Sequence, residues 1–523
     1  MKAEQKSECI LNTEEMIDTE QQAEDIFPIE GVLEAKPKTS AILSLEQAIE
    51  QFAQEVRPLL DPTSQENWDG EKLKSRELAI LQAGLRLVGH CIAILIYQLA
   101  SNANIQLAAN LAATGLASFS YTSQGIRDVT ITLIGGVEVT IPATYKLARK
   151  KRKGRGRKRK RGKRSKSQGQ GFYPLLTLLG IGNKVSPLVR CLVAEAATQA
   201  PSFEQARPRL AWLELNFSAR RIRKISEDFC QVGLMVRAQR LAELAKMPVS
   251  QVLSGKRVAL AVDGGRINVR RTFRRGRKRK SGWPGYESEW KEPKLLIIYV
   301  FDEQGRKMSA TEMPLVADGT LQGLEFFLEL VELYLSQLGI SLADQVLLLG
   351  DGAHWIWDHI PSLLQKLGCQ TEQIVQILDY CHACQHLYEV GELIFGKKKG
   401  KKWAKKWKKK LKKGQVEALL NEINNYSPNQ TGNKVKDIQR EYNYFLNHHV
   451  NGRLNYAYFS RQGWPIGSGV VESLIRQVVN LRLKGCSKSW LKENAEAFLH
   501  ARCQWAVGNW GPFCQAVLTF GLG

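Results

Sequence analysis

Residues 258–265 read VALAVDGG, a short apolar run that ends in an acid and two glycines. Such a run is typical of a buried β-strand, and the glycines allow the chain to turn after it. Residues 346–352 repeat the arrangement as VLLLGDG. An aspartate at this position is either part of an ordinary Asp-Gly turn or a ligand held at a strand end. Two such aspartates, Asp263 and Asp351, favour the ligand.

The surrounding sequence predicts an α/β region. Short apolar runs predict strands at 258–262, 295–301, 307–314, 346–349 and 373–378, and helical spacing predicts helices at 321–338 and 356–367. Three strands before the first helix, followed by strand, helix and strand, form an α/β layout. We therefore expect a catalytic core that begins near residue 251.

The rest of the chain divides into segments of different composition. The fold class we expect is a multidomain α+α/β protein with a helical N-terminal region. The predicted segments are an acidic disordered tail (1–40), a small helical region plus a hairpin about Gly135-Gly136 (41–145), a basic linker (146–170), a helical DNA-binding region (171–250), the first part of the core (251–386), a basic helical insertion (387–460) and a C-terminal helical part with a third acid (461–523).

The charge balance indicates a polyanionic partner. Lys and Arg number 75 against 51 Asp and Glu, which gives a net charge of +24. Nucleic acid is the first candidate and an acidic membrane surface the second. The longest apolar runs, 91–97 and 295–301, are too short to span a bilayer, so we expect no membrane partner and a cytoplasmic, nucleoid-associated location. The ten cysteines are too sparse for a disulfide framework and are expected to be reduced.

Three blocks concentrate the positive charge. Lys or Arg fill 15 of 21 positions at 146–166, 8 of 11 at 270–280 and 12 of 17 at 397–413. We interpret them as phosphate contacts; the alternatives are a passive linker and solvated faces. Trp403 and Trp407 either stack on DNA bases or dock their helix on the core. The nucleic-acid-binding candidates are Arg152, Arg157, Arg161, Arg274, Arg277, Trp403, Lys405 and Trp407, with Arg220 and Arg221 on a predicted helix-turn-helix.

Two aspartates supply too few ligands for a pair of divalent metals, so a third acid is required. Glu472 is our candidate, because it is predicted on the first turns of a helix that follows the Gly-rich stretch 463–469. The alternative is an acid that favours the helix dipole or pairs with Arg476. Asp379, Glu493 and Glu496 compete for the same role.

Four segments together resemble the motifs of insertion-sequence transposases. They are VDG at 262–264, LGDGAHWIW at 349–357, DYCHACQHL at 379–387 and IGSGVVES at 466–473. The similarity is closest to the ISKra-four family, which is related to Mutator-type transposases, and it covers about residues 174–503. It implies a ribonuclease-H-like core in which Asp263, Asp351 and Glu472 match the acidic triad. The family commonly has a cysteine knuckle where this chain has its first basic block.

Histidines and cysteines near the acids form a competing site. Residues 381–386 offer two cysteines and two histidines, but a structural zinc site usually draws on two separated clusters, so no zinc is expected. His382 and His386 are expected to line the active-site cleft, or else to serve helix packing. The auxiliary active-site candidates are His382, His386, Asp379, His354 and Arg476.

The function that follows is a DDE transposase with two Mg²⁺ ions, replaceable by Mn²⁺, held by Asp263, Asp351 and Glu472. It would cleave transposon terminal repeats and join them to target DNA, with self-association on the DNA. One alternative is a nuclease or resolvase on the same core that cuts without joining. Another is a basic nucleic-acid-binding protein without enzymatic activity.

Overall fold

The computed structural model describes residues 42–62, 68–115, 121–148, 171–278, 284–426, 433–467, 469–485 and 488–520. Helices predominate, and they accompany three sheets, so the chain has the mixed α and β architecture that the sequence predicts. The predicted tail at 1–40 and most of the basic linker lie outside the described residues.

The N-terminal part consists of helices packed on a hairpin. Helix α1 (Leu45–Val56) begins at a Ser44 capping box, and α2 (Gly70–Ser101) begins at the Asp69 cap. Helix α3 (Ala103–Gly115) precedes strands β1 (Tyr121–Thr132) and β2 (Glu138–Ala148), which pair antiparallel, and β3 (Gly171–Phe172) adds to β2. The predicted hairpin is confirmed, and Gly135 at its turn has a φ of 71° that favours glycine.

Helix α2 differs from the sequence expectation about membranes. It spans 32 residues, and its length and composition alone would allow it to cross a bilayer. No long unbroken apolar run marks this helix in the sequence, because single polar residues interrupt it. Core helices of soluble proteins can have the same length and composition.

A helical region connects the hairpin to the largest sheet. Helices α4 (Pro174–Leu178), α5 (Pro187–Gln199), α6 (Phe203–Ala211) and α7 (Ala219–Leu244) follow one another. Ser202 and Ser218 cap α6 and α7, as the sequence predicts. Helix α7 contacts α5 and α6 and three helices that come later in the chain, so most of its surface is used within the protein.

The largest sheet has five strands in the order β10-β9-β4-β7-β8. Strands β4 (Arg257–Gly264), β7 (Lys294–Val300) and β8 (Leu315–Thr320) pair antiparallel, whereas β9 (Gln345–Gly350) and β10 (Ile374–Leu378) run parallel to β4. All five residues of 258–262 are buried, which explains why this strand reads as an unbroken apolar run rather than an alternation. Helices α8 (Leu324–Leu338) and α9 (His354–Lys366) form the predicted crossovers.

The second half of the chain is helical. Helix α10 (Tyr380–Lys412) contains a kink at Gly396, where φ is 73°. Beyond the kink the chain doubles back, because Gly391 and Gly400 approach so closely that a Cβ on Gly391 would lie 2.6 Å from the Gly400 carbonyl oxygen. The remaining helices are α11 (Val416–Tyr426), α12 (Asn433–Val450), α13 (Tyr456–Arg461), α14 (Gly469–Ile475), a π-helix (Arg476–Asn480), α15 (Lys492–Ala506) and α16 (Trp510–Thr519).

Two details of the predicted core are wrong. The strand expected at 307–314 is a turn region with one isolated bridge at Lys307, and the third strand is β8 instead. The sequence 315–320 includes a buried Asp318, which broke the apolar pattern that strand prediction uses. No strands are predicted at 267–278 and 284–291, whereas these segments form β5 (Ile267–Lys278) and β6 (Pro284–Lys291), which pair antiparallel.

Candidate active site

The strand ends at one edge of the large sheet bring the predicted acids together. In the parallel ladders Ala261 pairs with Leu349, and Gly350 pairs with Leu378. Asp351 and Asp379 therefore follow directly after paired residues on adjacent strands, and Asp263 lies two positions beyond Ala261. The carboxyl ends of parallel strands are the usual place for a site in an open α/β sheet.

Asp263 is the most electrostatically perturbed of these acids. Its side chain is 9% exposed. Burial, reinforced by the neighbouring Asp351, raises the pKa of Asp263 to about 7 from an ordinary 3.8, although the Gly264 N–H donates to its carboxylate at 2.6 Å. Asp379 also raises this pKa, and His382 opposes the shift. The site thus holds acids close enough to repel one another.

Asp351 lies in a tight loop between β9 and α9. Its carboxylate accepts a hydrogen bond from the Ala353 N–H at 3.0 Å. The next residue, Gly352, has a φ of 96°, and a Cβ there would lie 2.8 Å from the Tyr444 ring. Glycine is therefore required by both the backbone conformation and the space. The loop fixes Asp351 against helix α12, while His354 stays exposed at the start of α9.

Asp379 is fully buried between β10 and α10. It caps α10, with one carboxylate oxygen accepting from the Cys381 N–H at 2.7 Å, and its other oxygen lies 3.9 Å from the Nε2 atom of His382. The next residue, Tyr380, donates its N–H to the Ile466 carbonyl at 3.0 Å. That hydrogen bond brings the Gly-rich segment before α14 alongside the strand end.

Glu472 reaches the same place from α14. Ligand atoms of Asp379, Cys381 and Glu472 all lie within 4.8 Å of one another, and α14 contacts both β4 and β7. Burial and the two carboxylates raise the pKa of the Cys381 thiol to about 11, so the sulfur stays protonated and is a poor ligand at neutral pH. The oxygen donors that remain suit a hard divalent cation.

Asp379 therefore lies near Glu472 on one side and Asp263 on the other, and Asp263 interacts with Asp351, but Asp263 and Asp351 are outside the group that shares the 4.8 Å limit. His382 belongs to the same surroundings. Within the described residues, Glu472 forms no ion pair with Arg476, which is exposed at the start of the π-helix. That arrangement disfavours the ion-pair alternative for Glu472.

Glu496, which competes with Glu472 for the role of third acid, belongs to a separate buried network. It pairs with Arg237 at 2.7 Å and accepts hydrogen bonds from Thr320 and from the Leu321 N–H. Asp318 joins the same buried network through Arg237 and His500. Burial alone would raise the pKa of Asp318, but His500 and Arg237 hold it below its usual range. Sequence reasoning missed this network, whose members lie far apart in the chain.

The His386 side chain contacts helix α12, which belongs to the helical insertion. Its Nδ1 atom lies 2.6 Å from Glu441, and its ring stacks on Tyr444 with centroids 3.8 Å apart. His386, Glu389 and Glu441 form a second group with metal-ligand spacing. Arg440 also contacts Glu441 at 3.1 Å, so that carboxylate is already neutralised by protein groups.

Some of the candidate nucleic-acid-binding residues are exposed, whereas others already form contacts within the protein. Lys405 and Arg220 are exposed. Arg221 instead donates to Thr132 at 3.0 Å and covers the Phe217 ring, which ties α7 to the hairpin. Trp403 and Trp407 are buried, and Trp403 donates to Glu422, which favours the docking interpretation over base stacking. Arg152, Arg157, Arg161 and the side chains of Arg274 and Arg277 lie outside the described residues.

Comparison with known proteins adds no family to this geometry: no family profile matches the sequence, and no curated protein matches it significantly.

Proposed function

We propose that this chain is a DDE-type DNA transposase in which Asp263, Asp351 and Glu472 hold two divalent metal ions. The observation that carries the proposal is that Asp263, Asp351 and Asp379 lie at one sheet edge with Glu472 beside Asp379, and that burial and the neighbouring acids raise the pKa of Asp263 to about 7. Acids that repel one another in this way are stabilised by a bound dication, which removes the repulsion.

The acids and the lysines of the proposed site would have different roles. Two Mg²⁺ ions would stabilise the attacking and leaving oxygens of a phosphodiester displacement. Asp263 and Asp351 would bind from the strand ends and Glu472 from α14. One Asp379 oxygen accepts the Cys381 N–H as the cap of α10, and the other lies 3.9 Å from the Nε2 atom of His382, so we assign Asp379 a positioning role at the base of the site. The exposed lysines of α10 would contact DNA phosphates.

A ribonuclease-H-like core is part of the proposal. The sheet order β10-β9-β4-β7-β8, with three antiparallel strands followed by two parallel crossovers, supports it. The helical insertion between β10 and α14 fits the long separation of the second and third acids. A helix-turn-helix at α6 and α7 has weaker support, because Arg221 is engaged within the protein.

A strand-transfer assay tests the function. The substrate is DNA that carries the sequences flanking the coding region, mixed with a supercoiled target plasmid, in Mg²⁺ or in chelator. We expect metal-dependent cleavage and joined products, which Asp263→Asn and Asp351→Asn abolish. Asp344→Asn, at the opposite end of β9, is the matched control and should remain active.

The rival functions give different products in the same tube. Cut DNA without joined products would identify a nuclease or resolvase. DNA binding that persists in chelator and leaves all strands whole would identify a non-enzymatic binding protein.

A further inference from the structure

Helix α2 exposes a stripe of large apolar side chains at seven-residue spacing. Leu81, Val88 and Leu95 are 52%, 47% and 53% exposed. Residues seven apart lie on one line of a helix that winds around another helix. Single exposed apolar residues are common, but a contiguous row of them usually marks an interaction surface.

Small residues lie between the large ones. Gly84 and Cys91 each follow a stripe residue by three positions, which completes the alternating three- and four-residue spacing of a coiled-coil seam. Cys91 is exposed, and a Cβ added at Gly84 would meet no atom within 4 Å. The stripe therefore has large projections next to hollows, a shape that another helix fits.

The opposite face of α2 is already used. A Cβ on Gly89 would lie 2.4 Å from the Ile134 carbonyl oxygen of the hairpin turn, and Ala93 and Ile96 are buried. Arg86 forms ion pairs with Glu55 and Glu214, which lie in other parts of the fold. The helix is therefore anchored in its own chain through this face, whereas the stripe remains exposed.

We propose that the stripe of Leu81, Val88 and Leu95 binds the same stripe of a second copy of this chain, with the two helices antiparallel. In that register Val88 of one copy packs on Cys91 of the other. Leu95 fills the hollow at Gly84. A two-fold axis makes one surface its own complement, so no additional surface is needed.

Charge selects the antiparallel orientation. Lys74 and Glu77 are exposed and continue the line of the stripe toward the helix N-terminus. Parallel helices would set each of these charges against its own copy, which is unfavourable. In the antiparallel register given above, Lys74 and Glu77 lie opposite positions 105 and 102, just beyond the end of the partner helix at Ser101, and residues 101–110 carry no charge.

A lipid bilayer is the rival occupant, since α2 is long and apolar enough to span one. A span would expose Arg86 to hydrocarbon and break its two ion pairs. A helix lying on an anionic membrane usually carries Lys or Arg beside its apolar face. Lys72, Lys74 and Arg76 all lie N-terminal to Leu81, and between residues 78 and 101, where the stripe runs, the only Lys or Arg is Arg86, which is already paired. A protein partner is therefore favoured.

The mass of the full-length chain in solution tests the proposal. Nuclease-treated protein at high salt, free of bridging DNA, is measured by light scattering after size exclusion. We expect a dimer, and half that mass for Val88→Glu. Leu188→Glu on α5 is the matched control, because Leu188 is 49% exposed and lies away from the stripe. A monomeric wild type, or a dimer that Val88→Glu leaves intact, would overturn the proposal.

Cross-linking tests the register. After mild oxidation, Val88→Cys should give a covalent dimer whose disulfide joins residue 88 of one copy to Cys91 of the other. Adding Cys91→Ser should remove that product. A Cys91–Cys91 disulfide in the wild type would contradict the antiparallel register. Flotation of the wild type, but not Val88→Glu, with phosphatidylcholine vesicles would assign the stripe to a membrane.

Discussion

The carboxylates of Asp379 and Glu472 have oxygen atoms within 4.8 Å of each other, although the whole basic insertion separates them in the chain. Asp379 is buried and its oxygens face Cys381 and His382, whereas Glu472 is partly exposed. The Asp379 carboxylate is held as the cap of α10, whereas the Glu472 side chain can be reached from solvent. This difference is why we assign Glu472 to the metal and Asp379 to positioning.

Asp263→Asn is expected to stabilise the metal-free protein at alkaline pH. The folded pKa of about 7 exceeds the ordinary 3.8. The stability that the protonated Asp263 carboxyl contributes to the folded state is therefore fully present below the ordinary pKa of 3.8. It is lost as the pH rises through the folded pKa of about 7. Each pKa unit corresponds to about 1.4 kcal/mol, so the gain at about pH 8 is on the order of a few kcal/mol.

Thermal melts in chelator at about pH 5 and about pH 8 check this expectation. The increase in stability of Asp263→Asn over the wild type should be larger at the higher pH. It should become smaller when Mg²⁺ is added, because only the wild type then binds the cation. Asp344→Asn, an exposed acid at the start of β9, should show no such pH dependence. An Asp263→Asn gain that is equal at both pH values would contradict the account.

Glu496→Gln is expected to destabilise the fold without acting on the metal site. The substitution leaves Arg237 buried and only partly neutralised, and breaking a buried ion pair costs about 3–5 kcal/mol. Glu493→Gln, an exposed position on the same helix, should change stability by less than about 0.5 kcal/mol. Urea denaturation measures both variants, and equal midpoints would show that the network contributes little.

The sequence predicted the strands that carry Asp263 and Asp351 because both are buried apolar runs that end in glycine. It missed β8, since the buried Asp318 in that strand looks like a surface residue until Arg237 and His500 are brought to it by the fold. The sequence also did not predict that the side chains of Asp379 and Glu472 lie close together. It depends on the loop before α14 pairing with Tyr380, a contact between distant segments.

Trp407→Ala is expected to lower stability rather than DNA affinity. The ring is 1% exposed, and removing a buried Trp side chain costs about 3–5 kcal/mol. Lys405→Ala, on the exposed side of the same helix, should have the opposite profile, with weaker DNA binding and unchanged melting. Fluorescence anisotropy and thermal melts separate the two effects. Weaker DNA binding by Trp407→Phe, with melting unchanged, would restore the stacking interpretation.

Replacing residues 149–166, the part of the basic block that follows β2, with a Gly/Ser linker of equal length is expected to flatten the salt dependence of DNA binding. These residues carry 14 of the 75 Lys and Arg residues, and each phosphate contact contributes about −0.9 to the slope of log affinity against log salt. Titrations over a series of salt concentrations give the slope. If it is unchanged, the segment is only a spacer.

The most direct test of the central claim is end-DNA cleavage in Mg²⁺ by Glu472→Gln and Asp379→Asn, measured side by side. Glu472→Gln removes a charge that would hold the metal pair and leaves the fold nearly untouched, so cleavage should fall by orders of magnitude while DNA binding stays near the wild-type value. Asp379→Asn should retain measurable cleavage. Normal cleavage by Glu472→Gln together with an inactive Asp379→Asn would make Asp379 the third ligand and contradict this account.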